Sequence, residues 1–310
     1  MPPIIHVSHL AKSYGRVAAV RDISFQVEQG EIFGILGPNG AGKTTTVECA
    51  QGLREPDAGE ITIRGFDARR QRSQLRGKIG SQLQESALPD RIRVREALDL
   101  FGSLAGSSID VRNLMDAWDL TPKANASFVS LSGGQRQRLF VALALVNEPE
   151  VVFLDELTQG LDPDARRLTW DLIHEVRDRG TTIVLVTHYM DEAEQLCDRL
   201  AVISDGEIIG EGTAQSLIAN TGAGLKMRFS TDTADLAWLH DVPHVDAVSH
   251  RAPHVEVHGS GPVLALVAAA LVERGIVPDD LRVVQPTLED AYFELLDTGR
   301  AVKSRPELSR

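Results

Sequence analysis

The stretch Gly37-Pro-Asn-Gly-Ala-Gly-Lys-Thr44 sets the fold expected of this 310-residue chain. It fits the phosphate-loop pattern G-x-x-x-x-G-K-[ST], and it stands between an apolar run at 31–36 and a helical pattern that begins near Lys43. Glycines let backbone N–H groups turn toward an anion, and the start of the helix adds the positive end of its dipole. A glycine-rich turn is the alternative, but the pattern arises by chance in a chain of this length in only about one per cent of cases. The stretch therefore predicts a nucleotide-binding α/β domain.

The residues of this phosphate loop have separate predicted roles. Lys43 neutralises the charge of the β- and γ-phosphates and is also expected to assist catalysis, and the hydroxyl of Thr44 is expected to ligate magnesium. The predicted nucleotide contacts of the loop are Gly37, Pro38, Asn39, Gly40, Ala41, Gly42, Lys43, Thr44 and Thr45.

Two further apolar runs, at 151–154 and 181–187, end in polar residues. Open parallel sheets bind their ligands at the carboxyl ends of the strands, so these residues should meet the phosphate loop at one edge. Asp155 is expected to hold magnesium, and Glu156 is expected to act as the general base that activates water. The alternative role for such paired acids is to cap a following helix. This interpretation is less favoured when the acids lie beside a phosphate loop.

The segment Leu131-Ser-Gly-Gly-Gln135 opens a helical run at 136–146. Ser132 and Gln135 form the pattern of a capping box, which predicts a helix start. The two glycines between them leave N–H groups and a positive dipole end available to an anion. The segment therefore predicts a second phosphate-binding element.

Together these motifs resemble the ATP-binding cassette (ABC) ATPases, whose phosphate loop, LSGGQ signature and hydrophobic strand followed by Asp-Glu occur here in order over roughly residues 4–212. The resemblance implies ATP and Mg²⁺ as cofactors. It also implies that Tyr14 stacks on adenine and that Gln84 links magnesium to the transporter interface as a ligand and catalytic residue. His188 resembles the catalytic switch histidine that contacts the γ-phosphate, and Asp162 resembles a residue of the loop that crosses to the partner.

In this family the signature of one subunit closes over the nucleotide held by another, which implies contacts from Ser132, Gly133, Gly134 and Gln135 to a partner's ATP. The chain has one copy of each motif, so we expect a homodimer, or a pair with another ABC subunit, with ATP at the interface. Separate transmembrane subunits are expected to contact the segment near Gln84 and the helical region 91–118. The chain would then be cytoplasmic and peripheral on the inner face of the cell membrane.

The expected fold class is α/β: a P-loop NTPase core with an antiparallel β region and an inserted helical subdomain, over residues 1–219. A small-residue linker at 219–224 leads to a small C-terminal α+β domain at 225–310. This domain, the phrase Ser81-Gln-Leu-Gln-Glu-Ser and the ending Pro286-Thr-Leu-Glu-Asp-Ala-Tyr resemble those of bacterial exporter ATPases for drugs, lipids or polysaccharides.

The acidic composition limits the partners. A formal charge of −12 and a pI near 5.2 disfavour nucleic acid, because binding to its phosphates needs a basic surface. The longest apolar run, at 263–272, is shorter than the roughly 20 residues of a membrane span and predicts a buried amphipathic helix. No secretion signal is expected at the start of the chain.

Two other functions compete with transport. A non-transport ABC ATPase acting on ribosomes or DNA is the closer alternative, although paired cassettes and long coiled coils are absent from the sequence and the charge is acidic. A P-loop kinase or GTPase is the other alternative, but the LSGGQ helix would have no function in such an enzyme. One departure from the family is Leu157, which follows Glu156 where proline is common.

Three histidines of the C-terminal region are candidate metal ligands. His250, His254 and His258 are four residues apart, but Pro253 and the alternation of valines around it indicate strands, so helical ligand spacing does not apply. We expect no metal site there.

Overall fold

The computed structural model describes residues 2–82, 87–107, 109–220 and 224–303, with side chains described up to residue 297. The chain divides into two compact units, Met1–Ala214 and Gln215–Arg310. The division lies close to the linker expected at 219–224.

Ten strands of the described part of the first unit form one sheet in the order β5-β4-β1-β2-β10-β9-β3-β8-β7-β6. The strands are β1 Ile5–Tyr14, β2 Val17–Val27, β3 Ile32–Leu36, β4 Ala58–Ile63, β5 Phe66–Asp67, β6 Ile79–Gln82, β7 Val151–Asp155, β8 Thr182–Thr187, β9 Arg199–Ser204 and β10 Glu207–Gly212. The helices are α1 Lys43–Ala50, α2 Arg72–Leu75, α3 Val94–Ala105, α4 Val111–Ala117, α5 Gly133–Leu145, α6 Pro163–Asp178, α7 Met190–Leu196 and, across the division, α8 Ala214–Asn220.

The strands β3, β6, β7 and β8 are parallel, and β3, β7 and β8 are buried along their whole length. Continuous apolar sequence of this kind is typical of strands covered on both faces. In their register, Leu36 pairs with Thr187, and Asp155 pairs with Val186. The three strands therefore end at the same edge of the sheet. The polar residues that follow these strands in the sequence were predicted to meet at this edge.

The strands β1, β2, β4 and β5 pair antiparallel, as do β9 and β10, and β9 pairs parallel with β3. The expected combination of a P-loop core with an antiparallel region is confirmed.

The inserted helical region lies where the sequence predicted it, within residues 91–118. It contains two helices, because α3 ends before Gly106, whose backbone is left-handed with φ +67°, and α4 begins after the capping residue Asp110. A left-handed glycine is a common helix terminator because it has no Cβ to clash. Leu98 on α3 and Met115 on α4 lie in one buried apolar cluster with residues of α5.

The second unit has a four-stranded antiparallel sheet in the order β12-β13-β11-β14. Its strands are β11 Leu225–Ser230, β12 Val245–Arg251, β13 His254–Gly259 and β14 Arg282–Val284, and its later helices are α9 Val263–Glu273 and α10 Leu288–Lys303. His250 lies on β12, and His254 and His258 lie on β13, as the strand interpretation predicted. His258 Nε2 lies 2.7 Å from Glu256 Oε1.

The helix α9 is buried along one face only. Only Val263, Val267 and Leu271 are fully buried against the sheet, while Leu264 and Val272 on other faces are exposed. The helix is apolar nearly all round, so its periodicity could not indicate which face would be covered. None of the helices in the described ranges is both long and apolar enough to cross a membrane.

Candidate nucleotide-binding site

The phosphate loop joins β3 to α1 and closes around the side chain of Lys43. Lys43 is only 6% exposed, and its Nζ donates hydrogen bonds to the carbonyl oxygens of Gly37, at 2.9 Å, and Pro38, at 3.1 Å. Burial lowers the pKa of Lys43, and the nearby Asp155 and Glu156 carboxylates partly offset this effect. The loop therefore holds a buried ammonium group at the end of β3.

Two glycines of the loop are required by close approach of the backbone. A Cβ on Gly37 would lie 2.2 Å from the carbonyl oxygen of Ile203, and a Cβ on Gly42 would lie 2.2 Å from that of Ala19. Gly42 also has a φ of +102°, which L-residues rarely adopt. The sequence pattern therefore reflects a loop shape that only glycine permits, and that shape is the one that cradles a phosphate group.

Two of the three metal ligands predicted from the sequence, Thr44 and Asp155, lie together. The Thr44 hydroxyl oxygen is 3.4 Å from Asp155 Oδ2, and Asp155 is almost fully buried at the end of β7. Burial, together with repulsion from the neighbouring Glu156 carboxylate, raises the pKa of Asp155 to about 6, although Lys43 opposes the shift. A hydroxyl and a desolvated carboxylate are oxygen donors that Mg²⁺ prefers, and a cation here would offset the cost of burying the carboxylate. These residues fit the metal.

Glu156 and His188 approach each other across the ends of β7 and β8. His188 Nδ1 lies 3.2 Å from Glu156 Oε1. Glu156 has a left-handed backbone with φ +53°, and its N–H donates a 2.9 Å hydrogen bond to the carbonyl oxygen of Val186. A non-glycine residue in this conformation costs on the order of 1 to 3 kcal/mol, and such strain is common at functional sites. Leu157 is fully buried in the core, so the turn is anchored without the proline common at this position.

A cavity of about 350 Å³ opens over the phosphate loop. Its lining residues are Ala19, Asn39, Gly40, Gly42, Lys43, Thr44, Thr45 and Glu156. Clefts of about 530 Å³ and 450 Å³ lie elsewhere, but no phosphate-loop residue lines either of them. The cavity that combines the buried lysine with a carboxylate is therefore the candidate site.

The LSGGQ segment forms the capping box predicted from its sequence. The Ser132 Oγ accepts a hydrogen bond from the backbone N–H of Gln135, and the Gln135 side-chain oxygen accepts one from the N–H of Ser132. A Cβ on Gly134 would make ordinary contacts of 3.5 Å with Ala165, and a Cβ on Gly133 would meet nothing closer than 3.9 Å. The packing of this chain therefore requires neither glycine. Each glycine in a helix also lowers the stability of the fold by roughly 0.5 to 1 kcal/mol relative to alanine.

The remaining predicted residues lie outside the lining of the cavity. Asp162 caps α6, and its carboxylate accepts a 2.9 Å hydrogen bond from the N–H of Ala165. Tyr14, at the end of β1, is 41% exposed, and the guanidinium of Arg54 lies 5.1 Å from its ring centre. Gln84 lies outside the described residues.

The sequence interpretation missed two residues at this edge. Gln82 is buried, and its amide Nε2 donates a 3.1 Å hydrogen bond to the backbone carbonyl of Asp155. The position of Gln82 at the end of β6 could have indicated a role at this edge. However, the pairing of β6 with β7 cannot be read from the sequence of a single strand. Ala19 lines the cavity from β2, and no property of its side chain could have indicated this.

Comparison with known proteins gives consistent matches. A sequence profile for the family described as "ABC transporter" matches residues 20–159. The chain is 36% identical to the daunorubicin resistance ATP-binding protein DrrA3 of Streptomyces coeruleorubidus, covering 96% of this chain and 98% of that protein. It is 44% identical to the Nod factor export ATP-binding protein I of Paraburkholderia xenovorans, with 96% and 98% covered.

Solved structures agree with these matches. The ATP-binding subunit of an ABC transporter aligns with a TM-score of 0.64 and 26% identity, covering 71% of this chain and 93% of that one. A dimeric ATP-binding cassette in a post-hydrolysis state, bound to ADP and Pi, aligns with a TM-score of 0.62 and 25% identity, covering 67% and 98%.

Proposed function

We propose that this chain is the motor subunit of a membrane exporter, since it belongs to the ABC transporter family of ATP-binding proteins. As a member of that family it is an ATPase. The observation that best supports a hydrolytic role is the meeting of three elements at one sheet edge: the buried Lys43, the Thr44–Asp155 pair, and the Glu156–His188 contact.

The residues of the site have different roles in the hydrolysis of ATP. The phosphate loop and Lys43 bind the phosphates of ATP, and Thr44 and Asp155 would hold Mg²⁺. When bound, the metal supplies positive charge that stabilises the phosphoryl oxygens. Glu156 accepts a proton from the attacking water, and His188 orients the γ-phosphate from the adjacent strand. Tyr14 would support the adenine ring from the end of β1.

A second copy completes the site in this proposal. The N–H groups at the start of α5 are directed to nucleotide on the partner subunit, with Ser132 and Gly134 closest to the γ-phosphate. Two observations support this arrangement: the packing of the chain itself does not need Gly133 or Gly134, and the similar post-hydrolysis cassette is dimeric. Asp162, which caps α6, belongs to the loop that crosses between the copies.

The membrane partner is proposed to bind the exposed apolar side of α3. Leu100, Phe101 and Leu104 on this helix are 48%, 39% and 65% exposed, although the opposite side of α3 is buried in the core. Separate membrane subunits at this surface would hold the chain on the cytoplasmic face of the membrane.

Export is the proposed direction of transport. The similar proteins are named for daunorubicin resistance and for Nod factor export, which supports a drug, lipid or polysaccharide as cargo. The acidic charge of −12 continues to disfavour the alternative of a non-transport ATPase on ribosomes or DNA.

The test starts from the gene neighbourhood. We expect an adjacent reading frame that encodes about six apolar spans of roughly 20 residues each. The protein it encodes, co-expressed with this chain and solubilised in detergent, should co-purify with the chain. Leu104→Asp should weaken that association, whereas Leu168→Asp, at a similarly exposed leucine on α6, should not. Co-sedimentation with ribosomes, without binding to a membrane protein, would favour the alternative.

A further inference from the structure

Tyr14, the residue proposed to support adenine, lies at the tip of a hairpin. The strand β1 ends at Tyr14, which pairs with Val17 at the start of β2. The turn between them consists of Gly15, with a φ of +60°, and Arg16. Turns open more easily than the strands they join, because they have fewer buried contacts. The orientation of the Tyr14 ring therefore depends on what else holds this tip.

The pairing of β1 with its neighbours is irregular close to the tip. On the β2 side the register shifts between Leu10 and Lys12, and again between Lys12 and Ser13. On the β4 side the last paired residues are Ala11 and Ala58. Register shifts of this kind interrupt the ladder of backbone hydrogen bonds locally. The last three residues of β1 therefore extend beyond its pairing with β4.

Asp57 immediately precedes β4 and continues the connection to β1 with its side chain. Its backbone N–H donates a 2.9 Å hydrogen bond to the carbonyl oxygen of Ala11. Its Oδ2 accepts a 2.7 Å hydrogen bond from the N–H of Ser13, and its Oδ1 accepts a 2.8 Å hydrogen bond from Lys12 Nζ. The bond from Lys12, followed by that from Ser13, lowers the pKa of Asp57, so both are charge-assisted bonds to an ionised carboxylate. Asp57 therefore bonds to the three consecutive residues that lead to Tyr14.

Two cations lie near the ring of Tyr14, and each is held by a carboxylate. Lys12 Nζ lies 5.9 Å from the ring centre, and the guanidinium of Arg54 lies 5.1 Å from it. Arg54 Nε donates a 2.6 Å hydrogen bond to Glu48 Oε2. A cation over an aromatic ring is attracted to its face. Because Asp57 holds Lys12, removing its carboxylate would release one of these contacts as well as the bond to Ser13.

We propose that Asp57 is a positioning residue for the adenine of ATP: it fixes the end of β1, so that the Tyr14 ring is already oriented to stack on the base. The Asp57 side chain is 49% exposed, and an ion pair at such a surface contributes little stability by itself. Its bonds instead restrict the strand that carries Tyr14, and binding to a pre-oriented group costs less conformational entropy. This inference rests on the proposed binding of ATP at the phosphate loop with adenine against Tyr14.

The first test compares two ligands by titration calorimetry: Mg-ATP, and magnesium tripolyphosphate, which has the three phosphates without a base. Asp57→Ala should lower the affinity for ATP by about threefold to tenfold. A base stacked on an aromatic ring contributes roughly fivefold to 150-fold to affinity, and only its alignment is lost here. The affinity for tripolyphosphate should not change, since the phosphate loop is unaltered. Equal losses for the two ligands, or no loss for ATP, would overturn the proposal.

Further variants separate the bonds of Asp57 from a general effect on the sheet. Asp57→Asn keeps an oxygen that accepts from the N–H of Ser13, so it should bind ATP more tightly than Asp57→Ala does. Asp67→Ala is the matched control, because Asp67 Oδ1 at the end of β5 also accepts two backbone hydrogen bonds of 2.8 Å, and this variant should bind both ligands as the unaltered chain does. If Asp57→Ala does not fold, Asp57→Ser, with a shorter polar side chain, takes its place with the same expected results.

A double-mutant cycle shows whether Asp57 acts through Tyr14. Tyr14→Ala should lower the affinity for ATP, and adding Asp57→Ala to it should cause a further loss of less than about twofold. Independent, multiplicative losses would overturn the proposal, as would unaltered binding of ATP by Tyr14→Ala. Failure of the proposed function is a different result, in which the unaltered chain does not bind ATP.

Discussion

The hydroxyl oxygen of Thr44 lies 3.4 Å from Oδ2 of Asp155, which brings together two residues that are 111 positions apart in the chain. The contact joins the start of α1 to the end of β7. It places a helix dipole, a buried lysine and a buried carboxylate in one small volume. Burying these charges without a bound ligand destabilises the folded protein, and this loss of stability can be measured.

We expect Asp155→Asn to stabilise the protein free of metal and nucleotide. The pKa of Asp155 is about 6 in the folded chain against 3.8 for an ordinary aspartate, so folding disfavours its ionised form. The penalty is present above about pH 6 and disappears as the pH falls toward 4. In EDTA near pH 8 the variant should therefore be more stable by on the order of 1 to 3 kcal/mol.

The measurement is denaturant unfolding at several pH values, with Asp171→Asn, at an exposed position on α6, as the control. The advantage of Asp155→Asn should shrink between about pH 6 and pH 4. A difference that is constant with pH would show that Asp155 is not the titrating group.

Much of this site could be predicted from the sequence because its motifs are local. The loop around Lys43 and the cap at Ser132 are each fixed by a few consecutive residues with strong conformational preferences. The register of neighbouring strands is not local, and it determines the contact of Gln82 with Asp155. The left-handed backbone of Glu156 also depends on tertiary contacts, since nothing in its own chemistry favours it.

We predict that Glu156→Gln binds ATP normally but loses turnover by about a hundredfold or more, because only the acceptance of a proton from water is removed. Titration calorimetry gives the affinity, and release of phosphate gives the rate. Glu194→Gln serves as a control at an exposed glutamate. Near-wild-type turnover would reject Glu156 as the base.

Lys43→Ala should weaken binding of ATP itself by at least about tenfold, since hydrogen bonds to charged groups are worth roughly 1.5 to 3 kcal/mol. The substitution also removes the bonds that tie the ammonium to the carbonyls of Gly37 and Pro38. Lys78→Ala, which breaks only a surface pair with Glu150, should bind ATP as the unaltered chain does. Equal affinities for the two variants would contradict the assignment.

Two inactive variants should recover activity when mixed. Lys43→Ala lacks the phosphate cradle, and Gly134→Asp places a carboxylate where the partner's γ-phosphate should lie. A mixed dimer combines the intact loop of one chain with the intact signature of the other, so ATPase activity should partly return. Gly134→Ala is the matched control, because its Cβ makes only ordinary contacts within the chain, and it should still fold. A site confined to one chain predicts no recovery.

The central claim is that two copies of this chain enclose ATP between them, and the most direct test is the mass of Glu156→Gln in solution with Mg-ATP. Light scattering should report a dimer with ATP and a monomer without it, because slow hydrolysis traps the closed state. The double variant Glu156→Gln, Gly134→Asp should remain monomeric. A Glu156→Gln protein that binds ATP by calorimetry but stays monomeric would contradict the account.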